Sequence, residues 1–126
     1  MFYEPKDGHG LSKNPFNSLV VPRPIGWISS TDKHGVVNLA PYSFFNATSY
    51  NPPTVMFSAG KGQVEDDGRK DSLRNILETG EFVHNFTNWD TREAMNQSSA
   101  TTSMDVDEMA MVGLTPIPSK LVKAPR

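Results

Sequence analysis

Apolar and polar positions along this chain change period every few residues, and ten prolines and nine glycines cut the pattern into short pieces. Residues 16–21 begin an apolar signal that Pro22-Arg23-Pro24 interrupts and residues 25–30 resume with a β-branched and aromatic bias, predicting a strand with a proline-stiffened entry. Asp32-Lys33-His34-Gly35 predicts a hairpin turn with Gly35 at positive φ, and residues 36–40 pair back. Residues 42–50, YSFFNATSY, crowd aromatic and small polar side chains up to the stop at Asn51-Pro52-Pro53, and residues 54–58 predict a further short strand. The stretch 60–69, with little apolar content and separated glycines, predicts a mobile surface loop.

Asp71 predicts a helix N-cap, because Leu73, Ile76 and Leu77 follow at helical spacing and Gly80 stands where a left-handed C-terminal residue belongs. Residues 81–87 return to strand, with Phe82, His84 and Phe86 on one face and Val83 and Asn85 on the other. Asp90 with Glu93 resembles a capping box opening a second short helix to about Ser98. Residues 104–112 predict a third, closed by Gly113, and residues 116–126 an extended end. The class is mainly β with short helices, in a single domain over residues 1–126.

Composition narrows the partners. The net charge is −2 with no block of like charges, so neither nucleic acid nor an anionic membrane surface is expected, and a small molecule is. There is no cysteine, which removes disulfides, thiolate nucleophiles and Cys-held metals together. No stretch approaches the ~18 apolar residues of a membrane span, and the N-terminal MFYEPKDGHG does not read as a leader, so a cytoplasmic location is expected. The sequence motifs Gly-x-Ser-x-Gly, His-Glu-x-x-His and the P-loop are absent, and His9, His34 and His84 fall in different elements. Chemistry here would be carried by a cofactor.

Three segments could hold one. In Trp27-Ile28-Ser29-Ser30, strand alternation sends two side chains inward and two outward, presenting hydroxyl groups at the strand end, although an ordinary strand entering a turn has the same pattern. In residues 42–49 the aromatics offer apolar walls and the small residues backbone access, as a flat ring system requires; the other reading makes the two phenylalanines core. At Lys70-Asp71-Ser72 a helix start offers unpaired N–H groups, a cation and a hydroxyl to an anion, and the plainer reading is a capped surface helix.

Taken in order, PRPIGWISSTDKHG (22–35), VNLAPYSFFNATSYNPPTVMFS (37–58), KDSLRNILETGEFVHNF (70–86) and AMNQSS (94–99) resemble the flavin reductase-like family with the FMN-binding split-barrel fold. The branch most resembled is that of the reductase components of two-component monooxygenases, with flavoredoxin-like proteins. The resemblance implies a Greek-key split β-barrel that dimerises, with FMN as cofactor, NAD(P)H as co-substrate and a possible monooxygenase partner. By position, Trp27, Ser29 and Ser30 would line the cofactor's edge, and Ser43, Phe45, Asn46, Ala47, Thr48 and Ser49 would wrap the ring and phosphate arm. Ser58 would border them, Lys70 and Ser72 would hold the phosphate, Asp71 would cap the helix, and Arg23 would lie near the pocket.

Chains of this family continue beyond the point where this one stops, so the resemblance implies a barrel incomplete in this chain. A natural truncation, a cleaved product or a partner chain supplying the rest would each account for it. Three functions follow: a flavin reductase transferring hydride from NAD(P)H to flavin, a non-catalytic FMN-binding or electron-transfer module, or, ranked last because its basic substrate residues are not evident, a pyridoxamine-phosphate-oxidase-like enzyme.

Overall fold

The structure is a computed structural model that describes residues 2–61 and 68–126. Its centre is strand β1 (Gly26–Thr31), flanked by two antiparallel neighbours, β2 (Val37–Tyr42) and β5 (Val83–Asn85). The predicted turn at residues 32–35 makes the β1–β2 hairpin: Asp32 accepts from the N–H groups of His34 and Val36, both at 2.8 Å, and Gly35 takes φ +90°. A second sheet holds β3 (Phe45–Tyr50) and β4 (Pro53–Phe57), with the register shifting between Ala47 and Ser49. The two sheets do not close into a barrel among the described residues.

All six residues of β1 are buried, including Ser29, Ser30 and Thr31. Two side chains were expected to face outward, but cover lies on both faces of the strand. On one face Trp27 and Leu39 pack with Met109, and the carbonyl of Pro125 accepts from the Ser29 hydroxyl. On the other, helix α1 (Asp71–Thr79) docks with Asn75 donating to Ser30 Oγ at 3.2 Å.

Helix α1 ends as predicted, at Gly80 with φ +75°, whose N–H donates to Ile76. Its start and its inner face differ from expectation. Lys70 occupies the N-cap position and Asp71 is the first helical residue, its carboxylate turned to Arg74 at 2.6 Å. The buried residues are Ser72 and Asn75, whereas Leu77 is 62% exposed. The reason is the sheet face beneath, which presents the polar groups of Ser30 and Asn38; these need hydrogen-bond partners that leucine lacks.

Other boundaries shift by local bonding. Residues 16–18 form a 3-10 turn instead of a strand entry, clasped by Arg23, which donates to the carbonyls of Asn17 (2.6 Å) and Val20 (3.1 Å) and lies over Phe44. Helix α2 (Arg92–Gln97) starts after Thr91, not at Asp90, because Asn88 and Thr91 bond each other's N–H groups reciprocally. Helix α3 (Glu108–Met111) is one turn, capped by Asp107, and shorter than the predicted 104–112. The expected loop at 60–69 lies outside the described residues over 62–67; at its edges Lys61 and Arg69 form an isolated antiparallel bridge. Residues 117 and 126 pair through two backbone bonds in the extended end.

An aromatic layer joins the sheets: Tyr42 lies 4.8 Å from Phe57, and Phe57 5.3 Å from Phe82. Burial holds the Tyr42 phenol above its ordinary pKa; the Ser72 hydroxyl beside it opposes this, and the Asp71 and Glu108 carboxylates add to it. Nearby, Gly26 leaves room for the Phe45 ring, since a Cβ there would stand 2.7 Å from Cγ of Phe45.

Two outcomes are expected. Gly26→Ala should lower stability by about 1–3 kcal/mol through overpacking, measured by urea unfolding. Because native Tyr42 keeps its proton after the unfolded chain releases it near pH 10.0, the unfolded state binds fewer protons above that pH. Stability should therefore fall as pH rises past that point, and Tyr42→Phe should remove that part of the fall in unfolding curves compared between pH 8 and pH 11.

Candidate functional site

A cleft of about 580 Å³ opens between β2, the start of α1 and residues 98–103. Its floor is Ala40, Pro41 and Tyr42, the end of β2. One wall is Lys70-Asp71-Ser72, which the fold brings here because α1 docks by its polar face. No described side chain caps the first turn of α1, so the helix presents backbone N–H groups and the positive end of its dipole. Lys70 Nζ sits 5.4 Å above the Tyr42 ring, and Lys61 and Arg69 add cationic side chains to the lining. Asp71, which would repel an anion, is drawn aside by Arg74.

The opposite wall, residues 98–103, carries five hydroxyl side chains and leads to Met104. It is held at both ends. Ser98 is buried, accepting from Trp27 Nε1 at 2.9 Å and donating to Met95 at 2.8 Å, and Thr102 donates to Glu108 at 2.8 Å. Chemically the cleft suits a ligand with an anionic group at the α1 end and hydrogen-bonding groups along its length. Among the described residues no cluster of three or more His, Asp or Glu is placed to hold a metal, and no helix is long and apolar enough to cross a membrane.

The expected site residues separate into three places. Lys70, Asp71 and Ser72 line the cleft together. Trp27, Ser29 and Ser30 are interior: Ser29 accepts from Asn85 at 3.0 Å and Ser30 from Asn75, so their hydroxyls face protein partners and do not present an outer edge. Ser43, Phe45, Asn46, Ala47, Thr48, Ser49 and Ser58 belong to the β3–β4 hairpin and its ends, outside the cleft lining. Phe45 packs over Gly26 and against His84 at 4.6 Å, while Asn46, Ala47, Thr48, Ser49 and Ser58 are exposed. The hairpin's base adjoins the cleft, because Ser58 donates its N–H to Phe44 and the chain then reaches Lys61 on the lining.

Sequence reasoning did not assign Asn38, Lys61, Arg69, Glu108 or the hydroxyl wall. The run SSATTS was the available signal for that wall, a stretch of small polar residues following a helix.

Residues 18–126 match the family model described as the flavin reductase like domain. An uncharacterized protein of Aquifex aeolicus is 44% identical over 108 residues, 86% of this chain and 54% of that one. Nitrilotriacetate monooxygenase component B from Bacillus cereus is 33% identical with a TM-score of 0.79, the match covering 94% of this chain and 63% of that one. A chain from Shewanella frigidimarina with a split barrel domain is 26% identical with a TM-score of 0.73, over 88% of this chain and 52% of that one. The chain spans about half the length of the curated relatives it matches. The family match along nearly the whole chain and the shared strand arrangement agree, and the chain belongs to the flavin reductase like family, with the split-barrel fold.

Proposed function

We propose that this chain holds FMN and forms part of a flavin reductase that passes hydride from NAD(P)H to flavin, working as a homodimer and supplying reduced flavin to a monooxygenase. The observation that carries the reading is the cleft, where the start of α1, capped by no described side chain, and Lys70 stand beside Lys61 and Arg69 and opposite a wall of hydroxyl groups. That donor set fits the phosphate and ribityl arm of FMN: a dianion at a helix N-terminus gains from dipole and cations together, and a polyol gains from hydroxyl partners. Bound flavin would supply the hydride-accepting chemistry, which needs alignment and close approach more than a protein acid or base.

In this reading Lys70 and the first-turn N–H groups of α1 hold the phosphate, and Ser72 is a wall of the pocket whose hydroxyl is committed to Asn38. Tyr42 forms the floor and keeps Lys70 over the cleft. The exposed residues Asn46, Ala47, Thr48 and Ser49 of β3, with half-buried Ser43 before it and Ser58 after β4, are assigned to the ring side, since the hairpin's base adjoins the cleft. Trp27, Ser29 and Ser30 support the pocket from behind; Trp27 does so by fixing Ser98. The dimer is supported by large apolar side chains left open to solvent, among them Leu77, Phe86 and Trp89. The link to a monooxygenase is supported by the likeness to a monooxygenase component B.

Titration of the chain with FMN should quench flavin fluorescence on binding, and Lys70→Ala should weaken that binding by about 1.5–3 kcal/mol through loss of a charge-assisted contact. Riboflavin, which lacks the phosphate, should bind wild type and variant alike; equal losses for both ligands would move the phosphate elsewhere. Anaerobic NADH or NADPH should bleach the bound flavin. Bound flavin that stays oxidised would make the chain a carrier or binding module.

A further inference from the structure

We propose that Glu108 is a positioning residue that fixes the distance between the two walls of the cleft, an inference that rests on the flavin-binding reading above. Among the described residues it is the single acidic or basic side chain that is buried, with 4% of its surface exposed. Its two oxygens serve three donors from two separate parts of the chain. Oε1 accepts from the Thr102 hydroxyl at 2.8 Å, while Oε2 accepts from the Leu39 N–H at 2.9 Å and from Asn38 Nδ2 at 3.1 Å. Asn38 in turn accepts from the Ser72 hydroxyl at 2.6 Å. A continuous line of hydrogen bonds, Thr102 to Glu108 to Asn38 to Ser72, therefore joins the hydroxyl wall to the first turn of α1 beneath the cleft.

The chemistry explains why an acid stands there. A carboxylate removed from water is costly unless its lone pairs are filled, and an apolar residue would anchor α3 against β2 as well. What an apolar residue lacks is two acceptor oxygens able to engage donors from separate segments at once. Residues 99–103 form neither helix nor strand, so sheet or helix bonding does not set their place. Glu108 ties them to the same strand that holds Ser72, and a binding site held this way keeps its geometry before the ligand arrives.

The test uses the whole chain, and because it has no cysteine, paired labels are easily introduced. Spin labels at Thr101→Cys and Glu78→Cys report the distance between the hydroxyl wall and α1 without ligand. In Glu108→Ala and in Thr102→Val the distance distribution should broaden about twofold, and in label-free chains FMN affinity should fall about tenfold, with circular dichroism unchanged. Glu108→Gln keeps one acceptor for β2 and offers an amide to the Thr102 hydroxyl, so it should restore a narrow distribution and hold affinity within about twofold of wild type. Should Glu108→Ala fail to fold, Thr102→Val carries the test, since it removes one bond at the half-buried end of the line. An unbroadened distribution in the folded variants, or the same loss of affinity in Glu108→Gln, overturns the proposal. If the wild type binds no FMN, the flavin reading fails while the label distances still decide whether Glu108 positions the walls.

Discussion

The structure depends on satisfying most of the polar side chains that β1, β2 and α1 bury, the Thr31 hydroxyl being left without a partner among the described residues. Ser29, Ser30, Asn38, Ser72 and Asn75 all lie inside the protein, where an unbonded hydroxyl or amide would cost roughly 1–3 kcal/mol. Each of these side chains has a partner: Ser29 with Asn85 and the Pro125 carbonyl, Ser30 with Asn75, and Asn38 with both Ser72 and Glu108. Such bonds are directional, so they set where α1 and α3 sit on the sheet, whereas contacts among leucines would tolerate sliding. The small apolar cluster of Trp27, Leu39 and Met109 contributes burial, and the polar groups contribute register.

The site follows from that register. Because α1 docks through Ser72 and Asn75, its first turn is brought to the end of β2, where Lys70 meets Tyr42. Because Glu108 reaches both β2 and Thr102, the hydroxyl wall is placed opposite. A cleft with cations on one side and hydroxyl groups on the other thus arises from the bonds that stabilise the interior. The family membership suggests a flavin, and the donor set suits a ligand with an anionic group at the α1 end.

Much of this was legible in the sequence where the signal is local. Gly35 and Gly80 mark a turn and a helix end because both need positive φ, and both have it. Pairing of residues 36–40 back onto β1 followed from the turn chemistry of Asp32. The segment Lys70-Asp71-Ser72 stood out because helix starts attract anions in any context, and it lies on the cleft lining. What the pattern concealed is non-local. The helical spacing pointed to Leu73, Ile76 and Leu77 and said nothing of Asn75, and nothing nearby in the chain says that Ser30 and Asn38 wait beneath Asn75 and Ser72. Glu108 lies 69 and 70 residues from its two partners on β2, a separation over which periodicity carries no information.

The polar docking face of α1 also governs how the protein should respond to temperature. Separating apolar surfaces raises heat capacity and separating polar ones lowers it, so a helix seated by hydroxyl and amide groups adds little to the heat-capacity change of unfolding. Cooling, which weakens apolar association, leaves such a contact comparatively intact. The wall of the cleft that carries Lys70 is therefore attached by the kind of contact that cold does not loosen, whereas the Trp27 side of the sheet relies on the kind that it does.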